Sequence, residues 1–455
     1  MKKNALLIGA LVAAMLILAV AAQAEDIAAL QAQIDAAGAH WTAGETPFSH
    51  LSPAEMSHYA NLVVDLSAGA NYEEGLPVPA AMPSQFDWRN QNGLDYMTPV
   101  EDQGQCGTCA TFSSTGAFEA NFKIAMNNSF IQPDFSEQDA YSCEGNIVVY
   151  TLFGPMIYFQ EDGETDEACF PYQCNNSNER LPCADTCKDR AQRAFRTDSY
   201  QVYMFASVDT LKAAVLKGPI VAGFQVYADF QNYTGGVYKH VSGSFLGGHA
   251  VVIVGWDDAE GCWICKNSWG TSWGEQGYFR IVYGNFGGLL PFGYQAASIK
   301  VDPQTLCGQK TEAVISALDL TNASPQLAAN ADLAIAFAWQ ATNADLEGSE
   351  LWYTIDGGTS QQYANPLVEL KGTASAAGSP AAYTIPGPFA GGEHTIRIWL
   401  KDLCGLSSND LSATFTVEGG TSDDDAAADD DAAADDDNAA PAAAASNNAK
   451  TGCGA

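Results

Sequence analysis

The stretch Gln103-Gly104-Gln105-Cys106-Gly107-Thr108-Cys109 decides how the rest of this chain is read. Gly104 and Gly107 permit a tight backbone. Beyond it, Phe112, Thr115-Gly116, Phe118-Glu119 and Phe122 recur with a 3.6-residue period, which predicts a helix over 109–126 with Cys109 at its N-terminus. A free thiol, with a pKa of about 8.5, is mostly protonated at neutral pH and a weak nucleophile. The exposed N–H groups of a helix start favour the anion. His249, in Gly247-Gly-His249-Ala, follows 140 residues later, and Asn267, in Lys266-Asn267-Ser-Trp-Gly270, follows 158 residues later. An imidazole can take the thiol proton and return it to a leaving amine. The Asn carboxamide can fix the ring plane, as Asp does in serine triads, and Gln103 can join the Cys109 N–H as an oxyanion donor. Singly, these would read as half a disulfide, a core histidine, a turn residue and a polar loop residue. Jointly they are the equipment for thiolate attack on a peptide carbonyl.

With these motifs in place, the chain resembles the papain-like cysteine peptidases over roughly residues 82–301. Met82-Pro-Ser-Gln-Phe-Asp87-Trp88-Arg89 looks like a mature start. Phe135-Ser-Glu-Gln138, Phe170-Pro-Tyr172, Gly235-Gly-Val-Tyr238 and Asn267-Ser-Trp-Gly-Thr-Ser-Trp-Gly274 match further landmarks. The resemblance implies an α+β, two-lobed fold, with Cys109 on a helical lobe, His249 on a β-barrel-like lobe and the substrate cleft between them. It implies that Gly107, Gly248 and Trp269 line that cleft, with Trp269 and Trp273 shielding the His249–Asn267 bond. It also favours a bridge between Cys106 and Cys143. Thr108 stands where relatives carry a small Ser or Ala, and Ala110 where they carry an aromatic residue. Gly248 replaces bulkier residues, and the glycine-rich cleft stretch is reduced to Cys143-Glu-Gly-Asn146.

Helix signals gather in the first half of that region and strand signals in the second, at 219–227, 248–256 and 278–283. Before it, residues 1–24 read as a signal peptide, with Lys2-Lys3, an apolar run and Ala22-Gln-Ala24. Residues 25–81 read either as an inhibitory propeptide or as a solvated spacer, with a capping box at Ser52-Pro-Ala-Glu55. After it, residues 302–418 alternate apolar and polar positions around Leu333–Trp339, Ser349–Ile355, His394–Leu400 and Ser412–Val417. Turn residues between these runs predict a small, Ig-like β-sandwich. Residues 419–455 carry Asp triplets at 423–425, 429–431 and 435–437 between Ala triplets, a composition that cannot build a core.

The chain has 54 acidic and 20 basic residues, a net charge of −34, which argues against nucleic acid or an anionic membrane surface as partner. No stretch after the leader is long and apolar enough to span a membrane. Twelve cysteines in an exported chain suggest disulfides. Cys307 and Cys404 are plausible partners. Cys106, Cys143, Cys169, Cys174, Cys183, Cys187, Cys262 and Cys265 allow 105 pairings. A zinc site of Cys183, Cys187, Cys262 and Cys265 is the rival for four of them; the favoured reading holds no metal and no cofactor. Cys453, beyond the acidic spacer, resembles a bacterial surface-sorting tail and is a candidate attachment point. The expectation is therefore a bacterial cysteine endopeptidase acting on proteins or peptides, secreted, periplasmic or surface-held. The alternative is a catalytically silent relative that binds proteins or polymers.

Overall fold

The computed structural model describes residues 27–63, 77–129, 131–144, 150–174, 180–302, 314–323, 326–340, 350–362, 381–401 and 407–418. The leader 1–24, the tail 419–455 and Cys307, Cys404 and Cys453 lie outside these.

Residues 27–36 form helix α1, followed by strand β1 (His40–Ala43) and helix α2 (Pro53–Tyr59). The capping box predicted at Ser52 starts α2. Glu55 N donates to Ser52 Oγ, Ser52 N donates to Glu55 Oε2, and Pro53 needs no hydrogen-bond acceptor in the first turn. This segment is not a solvated spacer. Ile34, Trp41, Phe48, Met56 and Tyr59 share one apolar cluster with Phe230, Tyr233, Tyr238 and Trp269. Trp41 Nε1 also donates to the Lys239 carbonyl at 2.9 Å.

Strand β2 (Gln85–Asp87) opens the next region. Helices α3 (Cys109–Ala125), α4 (Glu137–Cys143) and α5 (Gly154–Glu161) then form the helical lobe, with the short α6 (Arg190–Arg193) beside it. Helix α3 is buried on every side from Cys109 to Lys123, so its apolar stripe understates its burial. One side of it packs on Phe135, Phe159 and Phe195, and another meets the sheet.

The second lobe consists of β3 (Ser199–Met204), α7 (Val208–Val215), β4 (Ile220–Tyr227), β5 (Tyr233–Tyr238), β6 (Phe245–Asp257), β7 (Cys262–Lys266), β8 (Tyr278–Val282) and β9 (Gln295–Lys300). The sheet runs β1-β5-β8-β7-β6-β4-β9-β3, with β2 also on β6. All pairs are antiparallel except β5–β8. Strand β1, from the N-terminal segment, thus extends the sheet of the β lobe. Ile220 to Val226 are almost wholly buried on β4, as are Ala250 to Trp256 on β6, which is why they read as continuous apolar runs.

The C-terminal region has two further sheets. One joins β10 (Val314–Leu320), β11 (Leu333–Gln340) and β14 (Ala381–Ile385); the other joins β12 (Glu350–Ile355), β13 (Gln361–Gln362), β15 (Gly392–Lys401) and β16 (Leu411–Val417). Both sheets feed one core of Ile315, Leu333, Ile335, Phe337, Leu351, Ile396, Ile398 and Phe415. That is a sandwich. The alternation in β11, β12, β15 and β16 predicts those strands; β10, β13 and β14 escape the pattern because they are short or mix small and polar residues. Among the described residues no helix is long and apolar enough to cross a membrane.

Three disulfides occur among the described residues, and they correct the expected pairing. Cys106 bonds Cys174, Cys143 bonds Cys183, and Cys169 bonds Cys187. The chain after Phe170-Pro-Tyr172 folds back over the 103–107 loop, bringing Cys174 to Cys106. Cys143, at the end of α4, meets Cys183 instead. The zinc alternative fails with them, because Cys183 and Cys187 are spent in separate bridges. Cys262 and Cys265 are buried free thiols on β7.

The helical lobe also buries carboxyls. Glu119 and Glu167 are each pushed up to about 7 and Glu144 to about 8, in each case chiefly by desolvation. Glu137 and Glu164 lie well above the ordinary value for the same reason. Such groups stay protonated in the fold at a pH where the unfolded chain, near 4.5, has released its protons. Their stabilising contribution is full below about 4.5 and is lost as the pH rises through about 7. His249, lowered to about 4 by burial, opposes this with a single proton. Thermal melts of the full-length protein should therefore give a higher Tm near pH 5 than near pH 7.5. A Tm that rises across that interval would contradict the assigned burial of these carboxyls.

Candidate active site

The site is assembled by two chain crossings. Gln103 N donates to the Ser268 carbonyl at 3.0 Å and Gly270 N to the Glu101 carbonyl at 3.1 Å, so residues 101–103 lie alongside 268–270. Gln103 is thereby placed one residue-pair away from Asn267. The side chain of Gln103 is buried and held at both ends. Ser268 Oγ donates to its Oε1 at 2.7 Å, and its Nε2 donates to the Cys106 carbonyl at 2.8 Å. Gly104, at φ +59°, supplies the left-handed turn that this loop requires.

Cys109 is the first residue of α3 and is 1% exposed. Its sulfur faces the backbone amides of Ala250, Asn61 and Ala110. Ala250 adjoins His249 on β6, and this contact brings thiol and imidazole together. His249 Nε2 and Asn267 Oδ1 are 2.8 Å apart. Asn267 Oδ1 can only accept, so His249 carries a proton on Nε2 and turns Nδ1 away from Asn267. The Trp269 ring lies 5.0 Å from the imidazole, and Trp273 lies 5.0 Å behind it, covering the His249–Asn267 bond. Burial raises the Cys109 thiol, against the pull of these three amides and its own, and lowers His249 to about 4. Both shifts favour the neutral pair, as expected of a covered site.

The cover is residues 59–63. Leu62 N donates to the Gly248 carbonyl at 2.9 Å, and Val63 N to the Tyr150 carbonyl at 2.7 Å. The Tyr59 carbonyl lies 3.4 Å from Gln103 Nε2 and also faces the His249 ring. Phe48 and Tyr59 pack on Trp269 at 5.0 and 6.1 Å. The two candidate groove glycines lie under this segment. A Cβ on Gly107 would come within 2.6 Å of Asn61 Nδ2, and one on Gly248 within 2.4 Å of the Leu62 carbonyl oxygen. At Gly248 only glycine lets a backbone pass this close, and at Gly107 the missing side chain leaves room for that of Asn61.

All seven residues singled out in the sequence, Gln103, Gly107, Cys109, Gly248, His249, Asn267 and Trp269, therefore converge on one groove. Of the Cys143–Asn146 stretch, only Cys143 and Glu144 are described; among the described residues the opposite wall is built by Tyr150 and Thr151, the latter pairing with Val63. Neither residue type marks a wall in the sequence. Tyr172 was legible only as a landmark; its hydroxyl in fact donates to the Gln103 carbonyl at 2.9 Å.

Comparison with known proteins agrees with this geometry. Residues 82–291 match the family model described as papain family cysteine protease. Over 213 residues the chain is 34% identical to "Cathepsin B-like CP2" of Giardia intestinalis, covering 45% of this chain and 70% of that one. It is 31% identical to a "Cathepsin L-like proteinase" of Fasciola hepatica, covering 53% of this chain and 74% of that one. Among solved structures, digestive procathepsin L2 from the Tenebrio molitor larval midgut superposes with a TM-score of 0.51 at 28% identity, covering 61% of this chain and 89% of that one. Procathepsin B S9 from Trypanosoma congolense shares the fold with the same TM-score, at 23% identity, over 59% of this chain and 96% of that one. With its thiol at the head of α3 and its His–Asn pair on the sheet, the chain belongs to the papain family of cysteine proteases.

Proposed function

We propose that this chain is an exported cysteine endopeptidase made as a latent precursor, with Cys109 as nucleophile, His249 as acid–base and residues 27–63 as the covering segment. The observation that carries it is the meeting of Cys109, the His249–Asn267 pair and Gln103 in one groove already holding an extended backbone. Once that backbone leaves, water and substrate reach the pair, and the desolvation that favours the neutral forms is relieved. The Cys109 proton passes to His249, and the thiolate attacks the carbonyl carbon of the scissile bond. The resulting oxyanion is held by Gln103 Nε2–H and the Cys109 N–H. The C–N bond breaks as His249 returns its proton to the leaving amine, giving a thioester. Water, deprotonated by His249, then releases the acid and restores the thiol.

The segment 59–63 does not satisfy this sequence of steps. It presents the Asn61 amide N–H to the Cys109 sulfur, where a substrate must present a carbonyl carbon. Three disulfides among the described residues fit an oxidising compartment and hence export. Bacterial origin and attachment through Cys453 belong to the same proposal and rest on the sequence alone.

Iodoacetamide should alkylate Cys109 slowly in the full-length protein and fast once the chain is cut between 64 and 81 and the segment is released. Proteolysis of a denatured protein substrate should appear in step with that labelling, and Cys109→Ala should abolish it. Equal labelling before and after release would sink the latency proposal; undiminished hydrolysis by Cys109→Ala would sink the peptidase mechanism. In the released enzyme, Asn267→Ala should lower kcat by about 10²-fold, the low end of what a positioned acid–base contributes. The measurement is steady-state kinetics, and an unchanged kcat would remove Asn267 from the mechanism.

A further inference from the structure

The structure gives the Thr108 hydroxyl a use other than capping its own helix. Thr108 is the N-cap of α3, yet its side chain caps nothing. A threonine there normally accepts from the second or third amide of the helix. Here Thr108 Oγ1 lies 2.8 Å from Tyr172 Oη, and Tyr172 Oη lies 2.9 Å from the Gln103 carbonyl oxygen. A carbonyl only accepts, so the single phenolic proton goes to Gln103, and Thr108 must donate to the phenol. The chain of bonds runs in one direction, from Thr108 to Tyr172 to Gln103. Tyr172 is itself fixed. Its ring meets Phe112 edge-on at 4.8 Å, its amide donates to Glu167 Oε1 at 2.6 Å, and the Cys106–Cys174 bridge ties its segment to the Gln103 loop.

We infer that Thr108 and Tyr172 are positioning residues for the oxyanion site, together setting the Gln103 carboxamide. This rests on the peptidase mechanism proposed above. The peptide of Gln103 is gripped on its N–H by Ser268 and on its carbonyl by Tyr172, which leaves the side chain one direction into the groove.

The test compares wild type, Tyr172→Phe and the double variant Thr108→Val/Tyr172→Phe, each as the full chain released from residues 27–63 by the same treatment. Three quantities are read: kcat and KM on a peptide, affinity for a peptide aldehyde, and the pH profile of Cys109 alkylation by iodoacetamide. The aldehyde adduct needs the oxyanion donors, whereas alkylation does not. Tyr172→Phe should lower kcat roughly ten- to a hundredfold, below the loss of the donor itself, with KM little changed and aldehyde affinity weakened in parallel. Its alkylation profile should stay that of wild type, because alkylation needs no oxyanion donor. The double variant should lose no more than Tyr172→Phe alone, because both break the same chain of bonds. A general loss of structure would not separate the two readouts in this way. Tyr172→Phe with kcat and aldehyde affinity within about twofold of wild type would overturn the inference. A released wild type that neither cleaves peptide nor binds aldehyde would overturn the peptidase mechanism instead, and the inference with it.

Discussion

The arrangement depends on the head of α3 being driven against the middle of β6. Helix α3 is enclosed from Cys109 to Lys123, and its N-terminus meets Ala250, next to His249, on a strand buried from Ala250 to Trp256. Hydrophobic burial along the helix supplies the force, and the close packing of the lobes turns it into position. A thiol on a free helix could lie anywhere relative to an imidazole on a free strand. Here neither element can shift without exposing the aromatic side chains that Phe118, Phe122 and Phe135 pack together.

This position comes with buried ionisable groups. Glu119 accepts from Thr98 Oγ1 at 2.6 Å and from the Phe135 amide at 3.0 Å, while Lys266, next to Asn267, donates to the same Thr98 at 3.1 Å. A cavity of about 10 Å³, the size of one water, lies among Glu119, Glu137, Lys266 and Asn267. The polar groups beneath the site are held by a short network rather than left to solvent, which limits how far the Asn267 backbone can move.

Much of the site was legible in the sequence because its chemistry is local. Gln103 and Cys109 share one short stretch, His249 lies in the apolar run 248–256, and Asn267 stands in the local Asn267-Ser-Trp-Gly270 motif. The parts that were not legible depend on where distant segments return. Cys106 could not be matched to Cys174 without knowing that the chain beyond Tyr172 folds over the Gln103 loop. The wall at Tyr150–Thr151 contributes through the Tyr150 carbonyl, and backbone acceptors leave no trace in residue type. The integration of residues 27–63 was equally hidden. Trp41, Phe48, Tyr59 and Leu62 are spread through a segment with little period, and each finds its partner in the other lobe.

That covering segment shows how a peptidase cleft can hold a peptide without cutting it. Gly107 makes room for the Asn61 side chain, but Gly248 and the carbonyls of Gly248 and Tyr150 meet backbone, and those contacts are indifferent to side chains. Any extended chain can satisfy them, including one whose atoms meet the thiol in the wrong order. Residues 60–63 bond to both walls, and Phe48 and Tyr59 anchor them on Trp269, yet the group brought to the sulfur is the Asn61 N–H. An N–H at that point stabilises a thiolate but offers it nothing to attack. Occupancy of the groove and competence for catalysis are therefore separate properties, divided by which backbone atom faces Cys109.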